Sequence, residues 1–166
     1  MAMSLNGIIA RENNEEDFIS NDSWEEWLRW IREAGCVIWG RKTHEVVKTW
    51  GKQYIDDIRG VRAMVVSSNQ NFEAGDGFEL ASSPKEALEK LQIAGSNTVI
   101  LSGGSTLNTS FAKAGLIDEV VLNVEPVLIG KGIPLFFPQE FNLKLKLLST
   151  KKITEHIVQL HYEVEK

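Results

Sequence analysis

Small and hydroxyl-bearing residues stand directly after three separate apolar runs of this chain, a placing that suits a phosphate-bearing ligand. Cys36-Val37-Ile38-Trp39 leads into Gly40-Arg41-Lys42-Thr43, and Ala63-Met64-Val65-Val66 into Ser67-Ser68-Asn69. Val99-Ile100-Leu101 leads into Ser102-Gly103-Gly104-Ser105-Thr106. If the runs are neighbouring parallel strands, the turns line one crevice at the carboxyl edge of a sheet, where α/β folds bind nucleotides. A glycine-rich turn feeding a helix presents backbone N–H groups to phosphate oxygens. Arg41 and Lys42 add positive charge to the first turn. Taken singly, Gly103-Gly104 reads as a tight turn, Arg41 and Lys42 as solvated side chains, and Ser67 and Ser68 as turn formers. Their common position after consecutive strands favours the ligand reading.

Other chemistries find less support. His44, His156 and His161 stand in no zinc-type spacing with cysteine or carboxylates, so no metal site is expected. The chain carries no Gly-x-Ser-x-Gly elbow, no Walker-type loop and no Gly-x-Gly-x-x-Gly fingerprint. Asp22 has two readings. It can cap the helix that follows it, worth about 1 kcal/mol, or it can face the crevice and help deliver a proton. Trp24 and Trp27 divide in the same way between core and pocket wall.

The elements that must position these residues follow from periodicity. Met1–Ser4 reads as the end of a strand and 5–21 as a polar loop. A helix is expected from Asp22 or Ser23, since Asp22 with Glu25 and Ser23 with Glu26 both match a capping box. Trp24, Trp27, Leu28 and Ile31 fall on one face of it, and Gly35 suits the position past its end. After the Cys36–Trp39 strand come a short helix from about Lys42 to Val47 and a connection of mixed character from Trp50 to Gly60. The Ala63–Ser67 strand, a loop over 69–77 and a short Phe78–Leu80 strand follow. Ser83-Pro84-Lys85-Glu86 is a helix start, with cap, first-turn proline and glutamate in place. That helix stops at Gly95, and the helix after Gly104 ends at Gly115. Glu119–Val124 reads as a strand halted by Pro126, and Gly130-Lys131-Gly132 as a turn. Leu143, Leu145 and Leu147 alternate with lysines as in a half-exposed strand, and 157–164 alternates similarly, so the two are expected to pair antiparallel. The implied architecture is a three-layer αβα domain with a central mixed, mostly parallel sheet and an antiparallel C-terminal hairpin.

Bulk properties agree. A chain of 166 residues suits one domain over 1–166. Its 43% hydrophobic and 25% charged residues are ordinary for a soluble protein. A net charge of -5 argues against a general nucleic-acid binder. The lone Cys36 cannot form an internal disulfide, which fits a reducing cytoplasm. No signal peptide or membrane-spanning run is apparent, so no membrane partner is expected.

In this order the motifs resemble the dihydrofolate reductase-like superfamily, and especially its RibD C-terminal (reductase) domain branch. Met1-Ala2-Met3-Ser4-Leu5-Asn6-Gly7-Ile8-Ile9-Ala10 resembles the opening of that branch. Val37-Ile38-Trp39-Gly40-Arg41-Lys42-Thr43 resembles a stretch of dihydrofolate reductases. Leu101-Ser102-Gly103-Gly104, Gly115-Leu116-Ile117-Asp118-Glu119 and 126–132 together resemble the riboflavin-type signature.

The resemblance implies hydride transfer from NADPH to a small nitrogen heterocycle. It would place Gly40, Arg41, Lys42 and Thr43 on the cofactor's phosphates and Ser67 and Ser68, with Arg41, near the 2′-phosphate. Ser102, Gly103, Gly104, Ser105 and Thr106 would cradle the pyrophosphate. Ala2, Ile9 and Asn123 match positions flanking nicotinamide or substrate. Relatives pair through their sheets, which implies a homodimer. Two departures bear on the substrate. The Pro-Trp pair of the dihydrofolate reductase loop is replaced by Asn13-Asn14-Glu15-Glu16-Asp17, and the ribose-phosphate segment of the riboflavin branch by 42–51. A true dihydrofolate reductase and a non-catalytic NADPH-binding paralogue are the alternatives.

Overall fold

The computed structural model describes residues 1–69 and 71–166. Two short strands, β1 (Ala2–Ser4) and β2 (Ile8–Ala10), precede helix α1 (Asn21–Ala34). Strand β3 (Cys36–Gly40) runs into α2 (Arg41–Val47), which is followed by α3 (Lys52–Asp57). Then come β4 (Arg62–Val66), β5 (Phe78–Ala81) and α4 (Pro84–Ile93). Strand β6 (Ile100–Leu101) leads into α5 (Ser105–Lys113). The last third holds β7 (Glu119–Glu125), β8 (Ile133–Pro134), β9 (Lys144–Lys152) and β10 (Val158–Glu165). The fold is mixed α/β with mostly parallel strand pairing. The chain forms two compact units, one of Met1–Glu26 with Asn108–Lys166 and one of Trp27–Leu107.

The unit of Trp27–Leu107 is built on a four-stranded sheet of order β5-β4-β3-β6. All its pairings are parallel. Cys36–Trp39 and Ala63–Val66 are buried residue after residue. A parallel strand is covered on both faces, so its sequence reads as an unbroken apolar run rather than an alternation. That is why these strands were legible. The segment 50–60, expected as a connection, contains α3 instead. The expected loop over 69–77 includes Gln70, which lies outside the described residues.

Helix α4 starts as the sequence predicts. The Ser83 hydroxyl accepts from the Glu86 N–H at 3.3 Å, and Pro84 takes the first turn. The Glu86 carboxylate turns to Ser82 rather than Ser83, accepting its N–H at 2.8 Å and its hydroxyl. It also pairs with Lys90 at 2.7 Å. Lys90 first, and then Ser82, hold the Glu86 carboxyl down at about 2.

His44 is fully buried in this unit. Its Nε2 lies 2.8 Å from the Ala74 carbonyl oxygen, and its Nδ1 faces the Trp39 indole N–H at 3.4 Å. A carbonyl only accepts and an indole N–H only donates. His44 is therefore the neutral tautomer with its hydrogen on Nε2. The rings of Phe72 and Phe78 meet it edge-on. Burial pushes its pKa below the usual histidine range, with Lys48 adding to the shift.

The other unit carries a four-stranded sheet of order β1-β7-β10-β9 and a two-stranded ribbon of β2 and β8. Strand β1 pairs parallel with β7, while β7, β10 and β9 run antiparallel to their neighbours. The expected C-terminal hairpin is thus β9 with β10. Strand β9 is exposed along its whole length rather than half-buried. The register shifts between His161 and Tyr162, which oppose Ser149 and Leu147 and skip Leu148. A bulge of this kind breaks the two-residue alternation. Leu145, Leu147 and Leu148 all reach solvent, at 44%, 52% and 46% exposure.

Gly132 holds the ribbon together by absence of a side chain. A Cβ there would stand 2.5 Å from the Ala10 carbonyl oxygen and 2.5 Å from Ile8 Cγ2. The glycine read from sequence as a turn former is a contact point for the backbone of β2.

Three outcomes test these assignments. Ser83→Ala is expected to lower unfolding free energy by about 1 kcal/mol, read by urea denaturation. Gly132→Ala is expected to cost about 1–3 kcal/mol, because backbone must move, and a loss under 0.5 kcal/mol would refute the close approach. For His44, the folded state binds its proton less readily than the unfolded chain, whose pKa is about 6.5. Its contribution is complete above that pH and is lost as pH falls towards the folded value. The stability that His44 contributes should fall below about pH 6.5, so the stability difference between wild type and His44→Gln should change with pH in that window.

Candidate functional site

The order β5-β4-β3-β6 puts the ends of β4, β3 and β6 side by side at one edge of the parallel sheet. The turns after them are those singled out from sequence. Ladder hydrogen bonding continues past the strands into two of these turns. The Ser102 N–H donates to the Ile38 carbonyl, and the Gly40 N–H donates to the Gly103 carbonyl, both at 2.8 Å. These bonds hold the start of α2 against the Gly103-Gly104 turn.

That turn leaves little room for side chains. Gly103 has φ of 87°, a left-handed conformation that glycine adopts without steric cost. A Cβ on Gly104 would come within 3.2 Å of Thr43 Oγ1. The Gly103–Gly104 peptide is cis. Helix α5 begins at the next residue, Ser105, which is buried, while Thr106 is exposed. Gly40 is less constrained, since a Cβ there would make only ordinary contact with Leu107 at 3.6 Å.

The polar groups around the turn are partly engaged. Arg41 pairs with Glu45 one helical turn on, at 2.5 Å. Lys42 is exposed. The Ser67 hydroxyl accepts from the Asn69 N–H at 3.2 Å, and Ser68 is exposed beside it. The Trp27 indole N–H donates to Ser102 Oγ at 2.6 Å. Ser102 retains its own hydroxyl hydrogen as a donor, whereas Trp27 offers a ring face and no remaining donor. The structure therefore brings together Gly40 to Thr43 with Ser102 to Thr106, and sets Ser67 and Ser68 at the neighbouring strand end. Bare glycine backbone, hydroxyls and two cations form a donor set suited to phosphate oxygens.

Ala2, Ile9, Asp22, Trp24 and Asn123 belong to the other unit. Ala2 lies directly opposite Asn123 in the β1–β7 register. Ile9 is buried in β2. Asn123 is 4% exposed, and its carbonyl oxygen accepts from Gln159 Nε2 at 2.8 Å. Trp24 is half-buried and Asp22 exposed in the first turns of α1.

Asp22 is not the cap of α1, and neither is Ser23. The Ser20 hydroxyl accepts from the Ser23 N–H at 3.2 Å. The partner carboxylate comes from Glu125, whose Oε1 accepts the Ser20 N–H at 3.1 Å and the Ser20 hydroxyl at 2.9 Å. Glu125 is 2% exposed. It occupies the place that a first-turn glutamate takes in an ordinary capping box, and its charge opposes the positive end of the helix. Sequence reasoning missed Ser20, Glu125 and Gln159. The available signal was the spacing of Asn123 and Glu125, two polar residues two apart on one face of a strand whose other residues after Glu119 are apolar.

Residues 1–159 match the family model described as RibD C-terminal domain. The uncharacterized protein YwjB of Bacillus subtilis (strain 168) is 30% identical over 98% of this chain and 94% of its own length. The riboflavin biosynthesis protein RibD of Corynebacterium ammoniagenes is 34% identical over 80% of this chain and 43% of its own length. Among solved structures, a diaminohydroxyphosphoribosylaminopyrimidine deaminase/5-amino-6-(5-phosphoribosylamino)uracil reductase from Thermotoga maritima superposes with a TM-score of 0.75 at 17% identity. The superposition covers 99% of this chain and 55% of that one. With the motifs, the parallel sheet and its glycine turn agreeing, the chain belongs to the RibD C-terminal domain family.

Proposed function

We propose that this protein is an NADPH-dependent reductase of a small nitrogen heterocycle, similar to the uracil reductase activity named for the Thermotoga maritima relative. The observation that carries this reading is the glycine turn tied to the start of α2. Its backbone is fixed by the Gly40-to-Gly103 bond and kept bare by the 3.2 Å approach of Thr43 to Gly104. Membership of the RibD C-terminal domain family supports it independently.

The residues fit the cofactor's phosphates in kind. Gly40, Thr43 and Ser102 to Thr106 would hold the pyrophosphate, with Arg41, Lys42, Ser67 and Ser68 on the 2′-phosphate. A nicotinamide cofactor supplies the hydride, so the chain's task is to bind, orient and exclude water. Trp24, Trp27 and Asn123 are assigned to the heterocycle. Reduction of a C=N bond also consumes a proton, assigned to the Asp22 carboxyl or to water that it orders. The exposed leucines of β9 are assigned to the contact of a homodimer.

Titration of intrinsic tryptophan fluorescence should show NADPH binding more tightly than NADH. Arg41→Ala should erase most of that difference, since a charge-assisted contact is worth about 1.5–3 kcal/mol, roughly tenfold or more in Kd. Gly104→Val should abolish binding of both. NADPH consumption with a panel of ribosylaminopyrimidines and pterins then names the substrate class. Equal affinity for the two cofactors would remove the NADPH assignment. Tight binding with no turnover on any substrate would favour a non-catalytic paralogue.

A further inference from the structure

A line of polar side chains crosses the sheet of the β1-β7-β10-β9 unit and ends on Asn123. On β9, Lys151 Nζ pairs with Glu26 Oε1 of α1 at 2.7 Å. The other carboxylate oxygen, Glu26 Oε2, accepts from Gln159 Nε2 of β10 at 3.4 Å. The same Gln159 Nε2 donates to Asn123 Oδ1 of β7 at 2.8 Å. Gln159 and Asn123 stand opposite each other in the β7–β10 register. Lys151 is half-exposed, but the Glu26 side chain is only 15% exposed. Gln159 and Asn123 are buried.

Each link fixes the next by donor and acceptor type alone. An ammonium only donates and a carboxylate only accepts. The part of Gln159 that faces Glu26 must therefore be its amine, and its two hydrogens are matched by two acceptors, Glu26 Oε2 and Asn123 Oδ1. The part of Asn123 that faces Gln159 must then be its carbonyl. An amide is planar, so its amine lies on the other side, with neither hydrogen used by Gln159. Lys151 offsets the charge of Glu26, so the line carries no uncompensated buried carboxylate. Remove Gln159 or Glu26 and the Asn123 amide loses the reason to prefer one orientation over its flipped form, while removal of Lys151 takes away a partner that holds Glu26 towards Gln159.

We infer that Gln159, itself oriented by the Lys151–Glu26 pair, is a positioning residue that locks the Asn123 amide with its amine presented, so that Asn123 recognises a carbonyl oxygen on a planar ring. The inference rests on the proposed reading for the assignment of Asn123 to the ligand. The carbonyl is a lactam of the heterocycle or the carboxamide of the cofactor, and the two are separable. A site that donates to a carbonyl leaves its donor unpaired against an amino group in the same place, which costs affinity.

The probes are 5,6-diaminouracil, which carries ring carbonyls, and 2,4,5,6-tetraaminopyrimidine, which carries amino groups in their place. Binding of each is measured by calorimetry, with and without NADPH. The wild type should prefer the carbonyl probe by about tenfold or more. Lys151→Met and Gln159→Leu should shrink the preference towards unity, Lys151→Met being the variant at a half-exposed site. Asn123→Asp should reverse the preference, because a carboxylate accepts from amino groups. If the heterocycle supplies the carbonyl, NADPH affinity stays within about twofold, and in turnover the loss appears in KM rather than kcat. If the cofactor supplies it, NADPH affinity falls instead and the probe ratio is unmoved. A purely structural line would weaken both probes alike and leave the ratio unchanged, which overturns the inference. So does a wild type that is unselective, or that binds neither probe, and whose NADPH affinity ignores Gln159. Failure of NADPH to bind the wild type while the probe ratio still responds would sink the proposed activity and leave the amide lock standing.

Discussion

The pairing of β3 with β6 is the constraint from which the rest of the candidate cofactor site follows. The ladder itself is short, Val37 opposite Ile100 and Ile38 opposite Leu101. It does not stop at the strand ends. Two further backbone bonds, from Ser102 to Ile38 and from Gly40 to Gly103, carry the register into the turns. Two segments more than sixty residues apart in sequence are thereby held at hydrogen-bond distance. Register in a sheet buried on both faces is specified by where each apolar set begins and ends, because a slip along the strand pushes one end of the set out of the core and draws polar flanking residues in. Cys36 to Trp39 and Ala63 to Val66 are such sets. The position of a flexible glycine pair thus inherits the rigidity of a core.

How much of this the sequence disclosed depends on whether the determining partner is near in the chain. β3, β4 and α4 were readable because their signals are local: a continuous apolar run, or a cap with proline and glutamate within four residues. α3 carries none of its residues in the core, so it left no apolar period to read. The true cap of α1 was hidden for a different reason. Asp22 and Ser23 satisfied the local pattern, but Ser20 is preferred because Glu125, 105 positions away, accepts from both its N–H and its hydroxyl. The role of Gly132 was hidden in the same way. Its need is for space against Ala10, which only the β2–β8 ribbon reveals.

Of the candidate site residues, those expected on turns after strands do stand on such turns, whereas the buried partner that orients Asn123 left no comparable signal. Nothing in 157–164 beyond simple alternation marks Gln159 as different from a core-facing residue. Its burial beside Asn123 becomes meaningful only with the antiparallel register known. Buried polar groups need partners, so a glutamine at an inward position of a strand is a sequence-level sign that another polar residue stands across from it. Asn123 on β7 satisfies that rule.

Arg41 illustrates why an existing ion pair does not count against a ligand role. It is bonded to Glu45 at 2.5 Å, and both side chains are substantially exposed, at 39% and 51%. Exposed pairs of this kind are worth about 0–1 kcal/mol. On the proposed reading, a bound 2′-phosphate would bring more negative charge and more acceptor oxygens than one carboxylate. The guanidinium would exchange partners at little cost, or bridge both with its several N–H groups. Glu45 then has a use before the ligand arrives. It limits the rotamers of a side chain that would otherwise lose about 2 kcal/mol of rotamer entropy on being ordered. A pair too weak to matter for stability can still hold a cation at the start of α2, beside the glycine turn.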